Sequence, residues 1–128
     1  MKLLQLRPIL YVTSMDETIR FYREVLGFEC ASRMESWASS RYGDFGIMIS
    51  LPNDHVPFEK PHLTGSIYFN LEDVDSLWNQ IKEKATVVYP IENFFYGMRE
   101  FAIRDNGYCL NFGSEIQDPS QIPAHDED

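Results

Sequence analysis

The sequence predicts an α+β fold built from two consecutive βαβββ modules, and three observations carry that prediction. Apolar positions switch from strand-like alternation to a helical stripe and back to alternation, and they do so twice in the same order. Two helix-start signals match across the halves, Val12-x-x-x-Asp16 and Leu71-x-x-x-Asp75, at an offset of 59 residues. Between the two series lies a stretch with three prolines, Pro52 to Thr64, that reads as a crossing segment. The 128 residues suit one domain that buries its own core, with modules at 5–51 and 65–113, a linker at 52–64 and a tail at 114–128.

In the first module residues 6–12 alternate as a strand and run into Ser14, which with Glu17 forms a capping box at a helix start. Met15, Ile19, Tyr22 and Leu26 then make an apolar stripe that stops at Gly27. Strands follow at Phe28 to Met34, Trp37 to Tyr42 and Gly46 to Leu51. In the second module a strand from Ser66 to Leu71 leads to a cap at Asp73 and a helix with Val74, Leu77, Trp78 and Ile81 on one side. Strands are predicted at Thr86 to Tyr89, Met98 to Arg104 and Tyr108 to Phe112, the last two joined by a tight turn at Asp105, Asn106 and Gly107. Asp44-Phe45-Gly46 also matches Asp105-Asn106-Gly107 at an offset of 61.

Each module has one helix, which covers one face of its sheet. Strand parity gives that face Pro8, Leu10, Val12, Ile47, Ile49 and Leu51 in the first half and Ile67, Phe69 and Leu71 in the second. The opposite face carries Arg7, Ile9, Tyr11, Trp37, Ser39, Arg41, Met48 and Ser50 in the first half. In the second it carries Ser66, Tyr68, Asn70, Glu100, Cys109 and Asn111. Aromatic side chains mixed with a few polar ones fit a ligand cleft; a dimer interface or a polar sheet surface would use the same residues.

Composition excludes several classes. A net charge of −9 argues against nucleic-acid binding, which needs clustered Lys and Arg. The tail supplies five of the acids, reads as solvated and flexible, and leaves the body only mildly favourable to a cationic ligand. The apolar N-terminus is too short for a signal core, and no run is long enough to cross a membrane, so the expected compartment is the cytoplasm. There Cys30 and Cys109 are read as reduced, buried thiols.

Three segments, ILYVTSMDETIRFYREVLGFE, IYFNLEDVDSLW and FYGMREFAIRDNGYCLNFG, resemble the vicinal oxygen chelate superfamily of glyoxalases, bleomycin-resistance proteins and extradiol dioxygenases. The resemblance covers about residues 5–115, and the last segment is most similar to the bleomycin-resistance branch, although the Pro that usually follows its Asp is missing. It implies paired modules forming an eight-stranded incomplete barrel, a homodimer, and a protein that binds a drug without degrading it, hence antibiotic resistance. Metal-using members place His, Gln or Glu at four sheet positions, which carried onto this chain fall at Arg7, Ser50, Ser66 and Asn111. Arg offers no lone pair, and Ser and Asn oxygens make a poor transition-metal site, so no metal or other cofactor is expected.

Other chemistry is thin. His55 and His62 share the linker with Asp54 and Glu59, but no metal-ligand spacing is matched. Cys109 lacks an indicated His, and Glu100 is read either as a general base or, more simply, as a surface charge or a partner of Arg99 or Arg104. The aromatic set of Trp37, Tyr42, Tyr68, Phe94, Phe95 and Tyr96 makes the positive case, each stacking or cation–π contact contributing roughly 0.5–2 kcal/mol when desolvated. Three consecutive aromatics at 94–96 cannot all face a core.

The expected function is therefore metal-independent sequestration of a planar or cationic small molecule at a dimer interface. Trp37 and the loop aromatics Phe94, Phe95 and Tyr96 would stack on it, Arg7, Asn70, Glu100 and Asn111 would supply orienting hydrogen bonds, and Arg41, Met48, Ser50 and Tyr68 complete the expected ligand-binding set. No catalytic residue is assigned. The alternative is a metal-dependent lyase, isomerase or dioxygenase of the same fold with its ligands in another register.

Overall fold

The computed structural model describes residues 1–2, 4–54, 58–63 and 65–125. The chain divides between Pro61 and His62 into two compact units, each a βαβββ module. The first contains β1 (Ile9–Tyr11), α1 (Met15–Glu24), β2 (Glu29–Arg33), β3 (Trp37–Tyr42) and β4 (Phe45–Ser50). The second contains β5 (Ser66–Asn70), α2 (Val74–Ile81), β6 (Thr86–Asn93), β7 (Met98–Asp105) and β8 (Tyr108–Glu115). The sheets have orders β1-β4-β3-β2 and β5-β8-β7-β6. In each, the first strand returns parallel to the last, as the intervening helix permits, and the other pairs are antiparallel. The class is α+β as expected. Among the described residues the eight strands form two separate four-stranded sheets, and hydrogen bonding does not close them into a barrel.

In the first unit Ser14 caps α1 by accepting from the Glu17 amide at 3.2 Å, and Gly27, at φ 78°, lets the chain leave the helix. Met15, Ile19, Tyr22 and Leu26 are buried, as are Leu10, Val12, Ile47 and Ile49 of the sheet. Arg33 of β2 pairs with Asp16 of α1 and holds that carboxyl below its usual range. Tyr42 packs its ring on Phe28 at 5.8 Å.

In the second unit Asp73 caps α2 by accepting from the Ser76 amide, and Trp78 lies 5.0 Å from Phe101. Phe112 stacks between Phe69, at 4.8 Å, and Phe101, at 5.3 Å. The buried Ser114 hydroxyl clips β8 to the helix start, donating to the Leu71 carbonyl at 2.8 Å and accepting from the Val74 amide at 2.9 Å. Outside, Arg99 of β7 reaches Asp75 of α2 through two nitrogens at 3.0 Å.

The β7–β8 turn is the two-residue loop Asn106–Gly107, with φ 52° and 80°, the left-handed pair that Asn-Gly favours. In the first unit the equivalent loop is Gly43–Asp44, between the paired residues Tyr42 and Phe45. The matched Asp44-Phe45-Gly46 is thus out of step with the turns: the loop takes its glycine at position 43, where φ is 60°, and Gly46 lies within β4. Strand β6 runs beyond Tyr89 through Pro90 to Asn93, because it is an edge strand whose ladder shifts between Val87 and Tyr89 and between Tyr89 and Glu92. Of the segment read as a flexible tail, Ser114 and Glu115 complete β8 and 119–121 form a 3₁₀ turn capped by Asp118. The Ile116 amide donates to the Gly97 carbonyl, and Asn93 donates to the Gln121 carbonyl.

Candidate functional site

The face of the second sheet that turns away from α2 is assembled by register. Glu100 of β7 lies opposite Gly113 of β8, Ala102 opposite Asn111, and Tyr68 of β5 opposite Asn111 from the other side. The shift in the β6–β7 ladder places Tyr89 opposite Ala102. Four polar side chains from four strands therefore converge on one patch.

They form one chain of hydrogen bonds. The Tyr68 hydroxyl donates to Glu100 Oε1 at 2.9 Å, and the Tyr89 hydroxyl donates to Glu100 Oε2. Asn111 Nδ2 donates to the Tyr89 oxygen at 2.7 Å. Glu100 is only 2% exposed, yet among the described residues it has no ion pair. Loss of hydration, reinforced by the nearby Glu100, raises Tyr68 and Tyr96 well above the usual phenol range and Tyr89 to about 12. Tyr68 and Tyr96 keep 40% and 51% of their surface exposed, so each hides its hydroxyl and shows part of its ring.

Gly113 makes this arrangement possible. A Cβ there would lie 2.0 Å from the Tyr68 hydroxyl oxygen and 2.9 Å from Cζ, so only glycine lets the ring lie flat across β8 and reach Glu100. The aromatic turn contributes locally. Phe94 stacks on Tyr96 at 5.4 Å and meets Tyr89 edge-on at 5.7 Å, whereas Phe95 stacks on the His125 imidazole at 3.9 Å, apart from the carboxyl group. Asn70 is exposed at the end of β5, opposite Gly113.

The corresponding face of the first sheet is built differently. Arg7 extends over Gly46, where an added Cβ would lie 3.1 Å from Nε, and its Nη1 is 3.5 Å from the Ser39 hydroxyl. Arg41 Nε donates to the Gly43 carbonyl, and Ser50 donates to the Leu51 carbonyl at 2.7 Å. Trp37 and Tyr11 flank Ser50 in the ladder, and Met48 lies between Ile9 and Ser39. The linker residue Phe58 packs edge-on against Tyr11 at 5.5 Å, and Asn53 accepts from the Tyr11 hydroxyl.

Three sequence-based readings change. Glu100 is neither a surface charge nor the partner of Arg99 or Arg104: it is buried among phenols, and Arg99 is occupied by Asp75 and Asn93. Tyr42 leaves the aromatic set, because its strand position points toward Phe28 on the helix side. Tyr89 and Gly113, absent from the predicted site, are central to it. Tyr89 was hidden by the bulged ladder that sets its facing; Gly113 carries no side chain to signal a role, although it falls on the same alternation as Cys109 and Asn111.

A divalent metal does not fit the four family positions. Arg7 is a guanidinium, the Ser50 hydroxyl is turned to a backbone carbonyl, Ser66 is exposed at the edge, and Asn111 already uses Nδ2 on Tyr89. Among the described residues no three His, Cys, Asp or Glu side chains converge. His55 lies outside the described residues, and His62 is exposed.

Comparison with known proteins agrees with this architecture. Residues 3–122 match the Glyoxalase/Bleomycin resistance protein/Dioxygenase superfamily, and the chain belongs to that family. No curated protein sequence matches it. Among solved structures it resembles TioX from Micromonospora sp. ML1, at TM-score 0.75 and 20% identity over 88% of this chain and 98% of that one. It also resembles a bleomycin-binding protein from bleomycin-producing Streptomyces verticillus, complexed with copper(II)-bleomycin, at TM-score 0.67 and 24% identity over 89% and 98%. A third is a glyoxalase-related enzyme from Fulvimarina pelagi, at TM-score 0.75 and 15% identity over 88% and 89%. At these identities the likeness is one of fold.

Proposed function

We propose that this chain is a metal-independent binding protein that sequesters a planar, cationic small molecule, as a homodimer, and releases it unchanged. The observation that carries the reading is Glu100. A buried carboxyl group without an ion partner among the described residues is costly to keep, and its phenol donors leave it a focus of negative potential walled by aromatic rings. A flat cation meets such a site twice, by charge with Glu100 and by its face with Tyr68 and Tyr96. The poor fit of Arg7, Ser50, Ser66 and Asn111 to a divalent ion supports binding over metal-assisted turnover. The bleomycin-binding neighbour supports a small-molecule ligand in general.

The test is a fluorescence titration with acridine orange, a flat cationic dye, read through the dye's own emission and followed by recovery of the dye. Saturable binding with intact dye is expected, weakened at least about tenfold, or ~1.4 kcal/mol, in Glu100→Gln. Chemical change of the dye that depends on the protein, or unaltered affinity in Glu100→Gln, would refute the reading.

A further inference from the structure

The hydrogen-bond chain on the second sheet has a direction, and the direction leaves one buried atom over. Each phenol has a single proton, and Tyr68 and Tyr89 both give theirs to Glu100. The Tyr89 oxygen can then only accept, and it does so from Asn111 Nδ2 at 2.7 Å. Flipping the Asn111 amide would bring Oδ1 against an oxygen whose proton is committed elsewhere, so the amide orientation is fixed by Glu100 two bonds away. As a result Asn111 Oδ1 is buried and has no hydrogen-bond partner among the described residues. Asn111 itself is 9% exposed. An unsatisfied buried carbonyl costs roughly 1–3 kcal/mol, and a ligand that supplies a donor recovers that cost on binding.

We infer that the ligand of this face carries a protonated amine with at least one N–H, which donates to Asn111 Oδ1 while its charge is held by Glu100. The inference rests on the small-molecule reading above and narrows it. A quaternary ammonium satisfies Glu100 and the rings but leaves Oδ1 bare; a neutral amide N–H satisfies Oδ1 but brings no charge to Glu100. Neither does both. The register puts the two acceptors on neighbouring positions: Glu100 and Ala102 are alternate residues of β7, Ala102 lies opposite Asn111, and the small alanine lets Asn111 and Tyr89 meet across it.

The experiment compares three naphthalene probes by NMR titration of the isotope-labelled protein: 1-naphthylmethylamine as its hydrochloride, its N,N,N-trimethyl salt and its N-acetyl derivative. The amine is expected to bind at least about tenfold more tightly than either analogue, and to shift the Asn111 side-chain amide resonances where the trimethyl salt does not. In Asn111→Leu the advantage over the trimethyl salt should vanish while ring contacts persist; the wild-type probe series and amide shifts decide the matter even if that variant does not fold. Equal binding of the amine and the trimethyl salt, or an advantage that survives in Asn111→Leu, overturns the inference and leaves sequestration of a cation standing, whereas equal binding of the neutral N-acetyl derivative overturns both. Failure of all three probes and of acridine orange to bind overturns both.

Discussion

Gly113→Ala is the perturbation with the most determinate consequence. Position 113 lies in β8, which is hydrogen-bonded to β5 on one side and β7 on the other, so its backbone cannot retreat. Its φ is not in the left-handed region, so alanine fits the backbone and the collision is purely with a side chain. The new methyl would sit 2.0 Å from the Tyr68 hydroxyl oxygen and 2.9 Å from Cζ, far inside van der Waals contact, so the ring must swing off the sheet. Tyr68 then loses its bond to Glu100, which leaves Tyr89 on that carboxyl group. A hydrogen bond to a charged group contributes about 1.5–3 kcal/mol, and the partial exposure of Tyr68 argues for the lower end. Alanine in place of a strand glycine returns about 0.5–1 kcal/mol through chain entropy. The net expectation is a destabilisation of about 1 kcal/mol in urea unfolding. In a Tyr68→Ala background the obstacle is gone and only the entropy gain of about 0.5–1 kcal/mol remains, so the same substitution should be stabilising, and the coupling in the cycle equals the lost hydrogen bond, about 1.5 kcal/mol. The contact of the new methyl with Glu100 Cβ, at 3.2 Å, is present in both backgrounds and cancels. Equal destabilisation in the two backgrounds would show that the ring is not what the missing side chain accommodates.

Two further outcomes follow from the same geometry. Tyr68, Tyr89 and Tyr96 have raised pKa values, so the stability their protonated forms give the fold is complete below the ordinary phenol pKa of about 10 and is lost as pH rises toward 12. In a titration of phenolate absorbance these three should ionise above the ordinary phenol range, and Glu100→Gln should lower them; an unchanged curve would remove Glu100 as a cause. Ser114→Ala deletes both halves of the clip between β8 and the start of α2, leaving the Val74 amide buried without its partner. A loss of about 1–3 kcal/mol is expected in the same urea assay, and a loss below about 0.5 kcal/mol would mean that water replaces the hydroxyl.

Much of the fold is legible in local chemistry. Ser14 and Asp73 start the two helices, Gly27 ends the first, and Asn106–Gly107 takes the left-handed pair of φ angles that a two-residue hairpin loop needs. These are decisions made within a few residues of each other, so a sequence records them directly. Alternation likewise put Tyr68, Glu100 and Asn111 on the same side of the second sheet, since parity along a strand is local. What those three do to one another was not local. Tyr68 meets Glu100 only because β5 returns parallel to β8, and only because residue 113 has no side chain to hold the ring away. Tyr89 joins them through shifts in the β6–β7 ladder, which change the facing of an edge strand without altering its composition. The same limit misplaced Glu100 as a surface charge: a glutamate flanked by Arg99 along the chain looks paired, while across the sheet the arginine belongs to Asp75 and the glutamate to the phenols of Tyr68 and Tyr89. The sequence by itself determined the elements, their order and the face on which each polar residue stands; pairing between distant strands decided which of them touch, because hydrogen bonds depend on distances in space that chain order does not encode.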